Sequence, residues 1–167
     1  MTKAGADHDK KAATLQRQEK LAIFSIFTEE TAFDLGAMVI ALARNEHAPV
    51  VVNIRTPNRN LFQGALAGSS ADNDEWVRRK SNIVLRFQQS SLLFGHMLAQ
   101  KNRAVGPDIG LDLMDYAPHG GSFPIRLSPG GLVIAALTVS GLPQLDDHRI
   151  VIEALGAYLK IELPALD

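Results

Sequence analysis

The run LVIAALTVSGL, residues 132 to 142, most restricts what this chain can become. Its β-branched content and the glycines that bound it describe a strand. It is apolar at nearly every position instead of at alternate ones, so it offers no face to water. Such a strand belongs in the middle of a sheet with helices over both sides.

Neighbouring segments supply the rest of that sheet. FPIRL, 123 to 127, is a short strand joined to the central one by the turn SPGG. PVVVNIR, 49 to 55, turns at TPNRN and returns as LFQGAL, which makes 49 to 66 a hairpin. The covering helices are equally legible. Leu15, Leu21, Ile23, Phe24 and Phe27 give a loosely amphipathic first helix, broken near Thr28. TEETAFDLGAMVIALARNE follows, with Thr28 or Thr31 as cap, Glu29 and Glu30 at its positive end, and Arg44 at its negative end. Its expected core face is Phe33, Ala37, Ile40 and Ala41. GSSADND starts a long helix that runs to about Gln100, and HRIVIEALGAYLKI closes the chain. Between them KNRAVGPDIGLDLMDYAPHGGS is turn-rich and weakly patterned, a length of loop that often carries function. The element order is α, α, β, β, α, β, β, α. Residues 1–13 hold little apolar material and read as a mobile tail, which leaves 14–167 as a single domain.

At 167 residues and 46% hydrophobic, the chain can build one real core and not two comfortable ones. Its 17 basic and 18 acidic residues nearly cancel, so no global field draws it to nucleic acid or an anionic membrane. The absence of cysteine excludes disulfides, thiolate metal ligands and a cysteine nucleophile. The first 20 residues contain no apolar core of secretory length, and no apolar run reaches the roughly 20 residues of a membrane span. These features suit a cytoplasmic protein.

The most informative local stretch is DNDEWVRRK, residues 72 to 80. On one helix, Trp76, Ile83, Phe87, Phe94 and Leu98 fall within about 60° of each other, a stripe that faces the core. Asp72, Asn73, Asp74 and Glu75 suit the N-cap and first turn. Arg79 and Arg86 share one flank, and Lys80 falls inside the apolar stripe. A lysine there either snorkels or pairs with a carboxylate, or it joins Arg79 and Arg86 in presenting donors to an anionic ligand. YAPHGGSFPIRL sets His119, Gly120, Gly121 and Ser122 directly before a strand, where paired glycines allow close backbone approach. His119 is the candidate for acid–base work or ligation. His148 falls on the apolar stripe of the last helix, where a bonded core histidine is the default. No metal-binding spacing of histidines occurs, no metal site is expected, and Asp146 and Asp147 read as cap residues.

Taken together, LFQGALAGSSADNDEWVRRKSNIVLRFQQSS, HGGSFPIRL and ALTVSGLPQLDDHRIVIEALGAYL resemble a branch of small uncharacterised bacterial and fungal proteins. That branch lies within the GlcG/HbpS-like heme-degrading-domain superfamily, and the resemblance covers roughly residues 20 to 160. It implies a profilin-like α/β (α+β) fold, an antiparallel sheet of about five strands with helices on both faces, assembled as a homo-oligomer. It also implies a site where the long helix meets the HGGSF loop, made of Trp76, Arg79, Lys80, Arg86, His119, Gly120, Gly121, Ser122, Pro124 and His148. Haem is one candidate ligand, with His119, His148, Tyr116 and Met114 as available axial groups. The leading functional expectation is a small-ligand-binding domain for an anionic molecule. An enzyme that uses His119 is the second, and an oligomer whose surface is the function is the third.

Overall fold

A computed structural model describes residues 3–166. The elements are α1 (Lys3–Leu21), β1 (Ile23–Phe24), α2 (Glu29–Asn45), β2 (Val51–Arg55), β3 (Asn60–Ala65), α3 (Ala71–Phe87), α4 (Ser91–Gln100), β4 (Ser122–Leu127), β5 (Leu132–Ser140) and α5 (Gln144–Leu159). The five strands form one sheet in the order β1-β4-β5-β2-β3. All neighbours are antiparallel except β1 and β4, so the sheet is mixed at one edge.

The α+β architecture agrees with the sequence, and β5 is the central strand. Strand alternation then divides its residues between two layers. Ala135, Leu137 and Val139 point into the main core with Val52, Ile54, Phe123 and Ile125, where α2 and α5 cover them. The opposite face carries Ala136, Thr138 and Ser140 and is covered by α3. That second face is small and partly polar. Register sets Gln63, Asn53, Thr138 and Ser122 side by side across four strands. Asn53 donates to Gln63 Oε1 at 2.6 Å, and the Ser122 and Thr138 hydroxyls lie 2.7 Å apart. Bonded in this way, polar side chains are tolerated beneath a helix.

Four expectations need correction. The expected tail is helical from Lys3 onward, with residues 1 and 2 outside the described chain, because Ala12 and Leu15 pack against Leu92 and Leu93 of α4. The first helix ends at Leu21, and Ile23–Phe24 pair with β4 instead of continuing it. On α2 the buried face is Ala32, Leu35, Gly36, Val39 and Ala43, while Phe33 is 60% exposed. That helix is apolar most of the way round, so periodicity alone left its orientation open. Its start is as expected, with a reciprocal Thr28–Thr31 capping box.

The fourth correction concerns the long helix, which is two. Gln88 adopts φ 57° at the end of α3, and Ser90 begins α4 by accepting from the Leu93 amide. Serines in QQSS compete for backbone groups and favour a new cap over a continued helix. The junction is clamped from α1: Glu19, 6% exposed, accepts from the Ser90 amide at 2.7 Å and from Arg126 at 3.1 Å. Phe87 and Phe94 stack across the break with ring centroids 4.3 Å apart.

Because α1 docks through few apolar side chains, Leu15→Ala should cost about 2–4 kcal/mol of unfolding free energy. Leu21→Ala, at a position 42% exposed, should stay within about 0.5 kcal/mol of the parent. Urea titrations of the two variants check this, and equal effects would mean that α1 is not part of the cooperative core.

Candidate functional site

Lys80 lies on the buried side of α3, in line with Val77 and Val84, facing the small-residue side of β5. There its ammonium meets Asp147, in the first turn of α5, at 2.8 Å. The two side chains are 3% and 1% exposed. Lys80 also donates to the Val139 carbonyl at 3.2 Å, and Asp147 accepts from the Leu142 amide at 3.0 Å. Burial pulls Lys80 below the usual lysine range and pushes Asp147 up, and each charge works against the shift of the other. A lysine has three donor hydrogens, and two are taken up here.

The pair forms one wall of a cavity of about 220 Å³, bounded also by Asn73, Trp76, His119, Ser140, Gly141, Leu142 and Gln144. Gly121 makes this closeness possible. It sits at φ 122°, and an added Cβ would lie 2.3 Å from the Val139 carbonyl and 2.9 Å from Lys80 Nζ. At Gly120 an added Cβ would lie 2.1 Å from the Gln144 carbonyl, so the loop packs directly on the start of α5. That helix begins after Pro143 without a side-chain cap, and its positive end faces the cavity region. His119 stands at the mouth, edge-on to Trp76 with ring centroids 5.3 Å apart. Arg79 lies over the Trp76 ring, 4.7 Å from its centre. Loss of hydration, then the Lys80 and Arg79 charges, hold the His119 imidazole below its ordinary range.

The expected site residues divide accordingly. Trp76, Lys80 and His119 come together at the cavity, and Arg79 stands beside them. Trp76 is half-buried at the pocket mouth, not the first rung of the core, and its indole donates to Asp72 at 3.1 Å. Arg86 lies elsewhere, donating to the Tyr116 hydroxyl at 3.0 Å and to the Gly110 carbonyl. With Arg78 on Asp115 and Met114, and Arg79 on the Leu113 carbonyl, it straps the long irregular segment onto α3. The three cations proposed from the helical wheel therefore do not form one cluster. Ser122 and Pro124 are buried in β4 and do not line the cavity.

His148 is also separate from it. Its Nε2 lies 2.9 Å from Gln18 Oε1, and the Gln18 amide donates to the Pro164 carbonyl at 2.7 Å. The amide is thereby oriented, so His148 Nε2 carries the hydrogen and donates. Full burial, with a smaller contribution from His96, lowers its pKa to about 3.

Asp147 is the cavity-wall residue that sequence reading missed as the partner of Lys80. A signal existed: Asp147, Val151 and Ala154 recur at helical spacing on the buried face of α5, and a lysine on a core stripe calls for a carboxylate. Ser140, Gly141, Leu142 and Gln144 gave no such signal, because only folding brings the end of β5 to this place. A second cavity of about 440 Å³ shares His119 and Gln144 and is walled largely by apolar side chains, with His96 and Arg103 also present.

An α+β domain with this strand order, and a cavity between α3 and a Gly-Gly loop, fits a known class. The family described as haem degrading protein HbpS-like matches residues 27–156, and the chain belongs to it. A UPF0303 protein of Streptomyces coelicolor is 42% identical over 147 residues, 88% of this chain and 92% of the relative. A UPF0303 protein of Acidobacterium capsulatum is 43% identical over 150 residues, 90% of each chain. Among solved structures, the Ybr137w protein superposes with a TM-score of 0.80 at 33% identity, over 89% of this chain and 87% of that one. PduOC, solved as a haem complex, shares the fold with a TM-score of 0.64 at 18% identity, over 83% and 96%.

Two predictions follow from the buried polar groups. Lys80→Met leaves the Asp147 carboxylate buried without its partner and should destabilise by about 3–5 kcal/mol, whereas Lys80→Met with Asp147→Leu should recover most of that loss. Chemical denaturation of the single and double variants measures it, and additive losses would show that the two side chains do not act as a pair. For His148, the unfolded imidazole titrates near 6.5 while the folded one stays neutral down to about 3. The unfolded state therefore binds the extra proton in between, and stability falls as pH falls through that window. Between pH 7 and pH 5 this amounts to about 2 kcal/mol. The same pH dependence in His148→Gln would assign the loss to other groups.

Proposed function

We propose that this protein binds a small anionic molecule, carboxylate in type, in the cavity between α3 and the HGGSF loop. One observation carries the reading: a lysine 97% removed from water forms the wall of a cavity with a donor hydrogen to spare. Keeping a charged lysine there costs desolvation, which Asp147 offsets, and an incoming carboxylate would add a second acceptor. His119 at the mouth and the uncapped start of α5 add further donors or positive potential, and Arg79, stacked on Trp76, adds charge beside them. The absence of cysteine is consistent with work in the cytoplasm. An exposed Phe33, packed on Phe62 of the edge strand β3, supports assembly as a homo-oligomer.

Haem is the second reading, favoured by the apolar cavity that carries both His96 and His119. The polar cavity alone, at about 220 Å³, is below the roughly 300–1,000 Å³ of drug-sized ligand sites, so a macrocycle would need the larger space. Of the axial groups expected from sequence, His148 is committed to Gln18, Tyr116 bonds to Arg86, and Met114 is exposed, which leaves His119. Bound there, haem would supply iron redox chemistry, while Lys80 and Arg79 would hold its propionates.

Thermal unfolding with acetate, pyruvate and succinate should show a saturable rise in Tm with at least one of them. The rise should disappear in the Lys80→Met, Asp147→Leu double variant, whose fold is the control. No rise in the parent, or an equal rise in the double variant, would sink the anion site. A parallel hemin titration separates the second reading: a saturable Soret change near one per subunit, lost in His119→Ala and kept in His148→Ala, would support haem.

A further inference from the structure

The polar cavity and the larger apolar cavity are not independent spaces. His119 and Gln144 belong to the walls of both. Gln144 holds its place by accepting from the Gly120 amide through Oε1 at 3.2 Å. His119 is exposed and leans edge-on against Trp76, so these two side chains form a low sill between a cationic end and an apolar one. On the far side of the sill, Leu92 and Leu98 of α4 and Val105 of the following segment supply an apolar floor. An aqueous carboxylate without an apolar part would leave that floor bare to water.

We infer that the ligand is an amphiphilic monocarboxylate, with its carboxylate at Lys80 and an aryl or alkyl body of a few carbons lying across the sill onto the Leu98 side. The inference rests on the anion reading above and adds the substrate class. Specificity then has two separable parts. Lys80 recognises charge, with Arg79 on Trp76 adding positive potential, and the apolar floor recognises the body at a cost to small polar acids, which gain nothing there. Gln144 and His119 are the residues that sense both ends. Burial of two or three methylene equivalents would raise affinity roughly tenfold or more.

Isothermal titration of the full chain with acetate, hexanoate, 3-phenylpropionate and 3-phenyl-1-propanol tests this. The expected order is 3-phenylpropionate and hexanoate at least tenfold tighter than acetate, with the alcohol at least tenfold weaker than the matching acid. Ala99→Trp and Ala104→Trp, at exposed positions on the rim of the apolar cavity, should bring the longer acids down to the level of acetate and leave acetate itself unchanged. Equal binding of all the acids, or a preference for the longer ones that survives both tryptophan variants, would overturn the amphiphile inference and leave the anion site standing. If no acid binds at all, both readings fall.

Discussion

Lys80 and Asp147 leave water together at the end of β5, and the arrangement of the whole α3 face depends on how that is made tolerable. One charge comes from the helix that covers the small-residue side of the sheet, the other from the helix that follows β5. Their contact fixes the depth of α3, the start of α5 and the carbonyl of Val139 relative to each other. Only a glycine fits between them at position 121, because any side chain there would meet Lys80 and β5 at once. A buried ion pair adds little net stability compared with apolar packing. In the proposed reading, the pair at the cavity wall holds a charge in place before any ligand arrives.

The arginines of α3 serve a different purpose from the lysine. Arg78, Arg79 and Arg86 reach the Leu113–Asp115 stretch, Gly110 and Tyr116, and so turn a long turn-rich segment into an ordered wall. That segment carries His119 and the Gly-Gly pair to the site. Its own apolar residues, Val105 and Leu111, join Ile83, Phe94 and Leu98 in a small second core. The loop is thus positioned by a scaffold while its tip stays accessible, an arrangement suited to recognition.

The fold was largely legible because its signals are local. Runs of β-branched residues marked β2 and β5, a capping threonine at 28 or 31 with the acids after Thr28 marked the start of α2, and the two-sided apolar character of β5 marked it as central. Errors came where local signals were degenerate. FDLGAMVIALA is apolar on several faces, so the choice of Leu35 and Val39 over Phe33 as core depended on what the helix lies against. Similarly, the wheel drawn through Gln88 assumed one straight axis, and a single left-handed residue broke the stripe. Lys80 stood out because a lysine on a core stripe is physically expensive, and that cost is visible in sequence without knowing the partner.

By itself, then, the sequence determined most of the secondary elements, the layered α+β class, the family, and the presence of an anomalous lysine on a core stripe near a Gly-Gly loop. Tertiary structure alone decided that Asp147 and not a free ligand already pairs with that cation, that Arg86 and His148 belong to other networks, and that two cavities meet at His119 and Gln144. The physical reason is range. Propensity, capping and periodicity act over a few residues along the chain, whereas Lys80 and Asp147 are 67 positions apart and meet only when the sheet and both helices have packed.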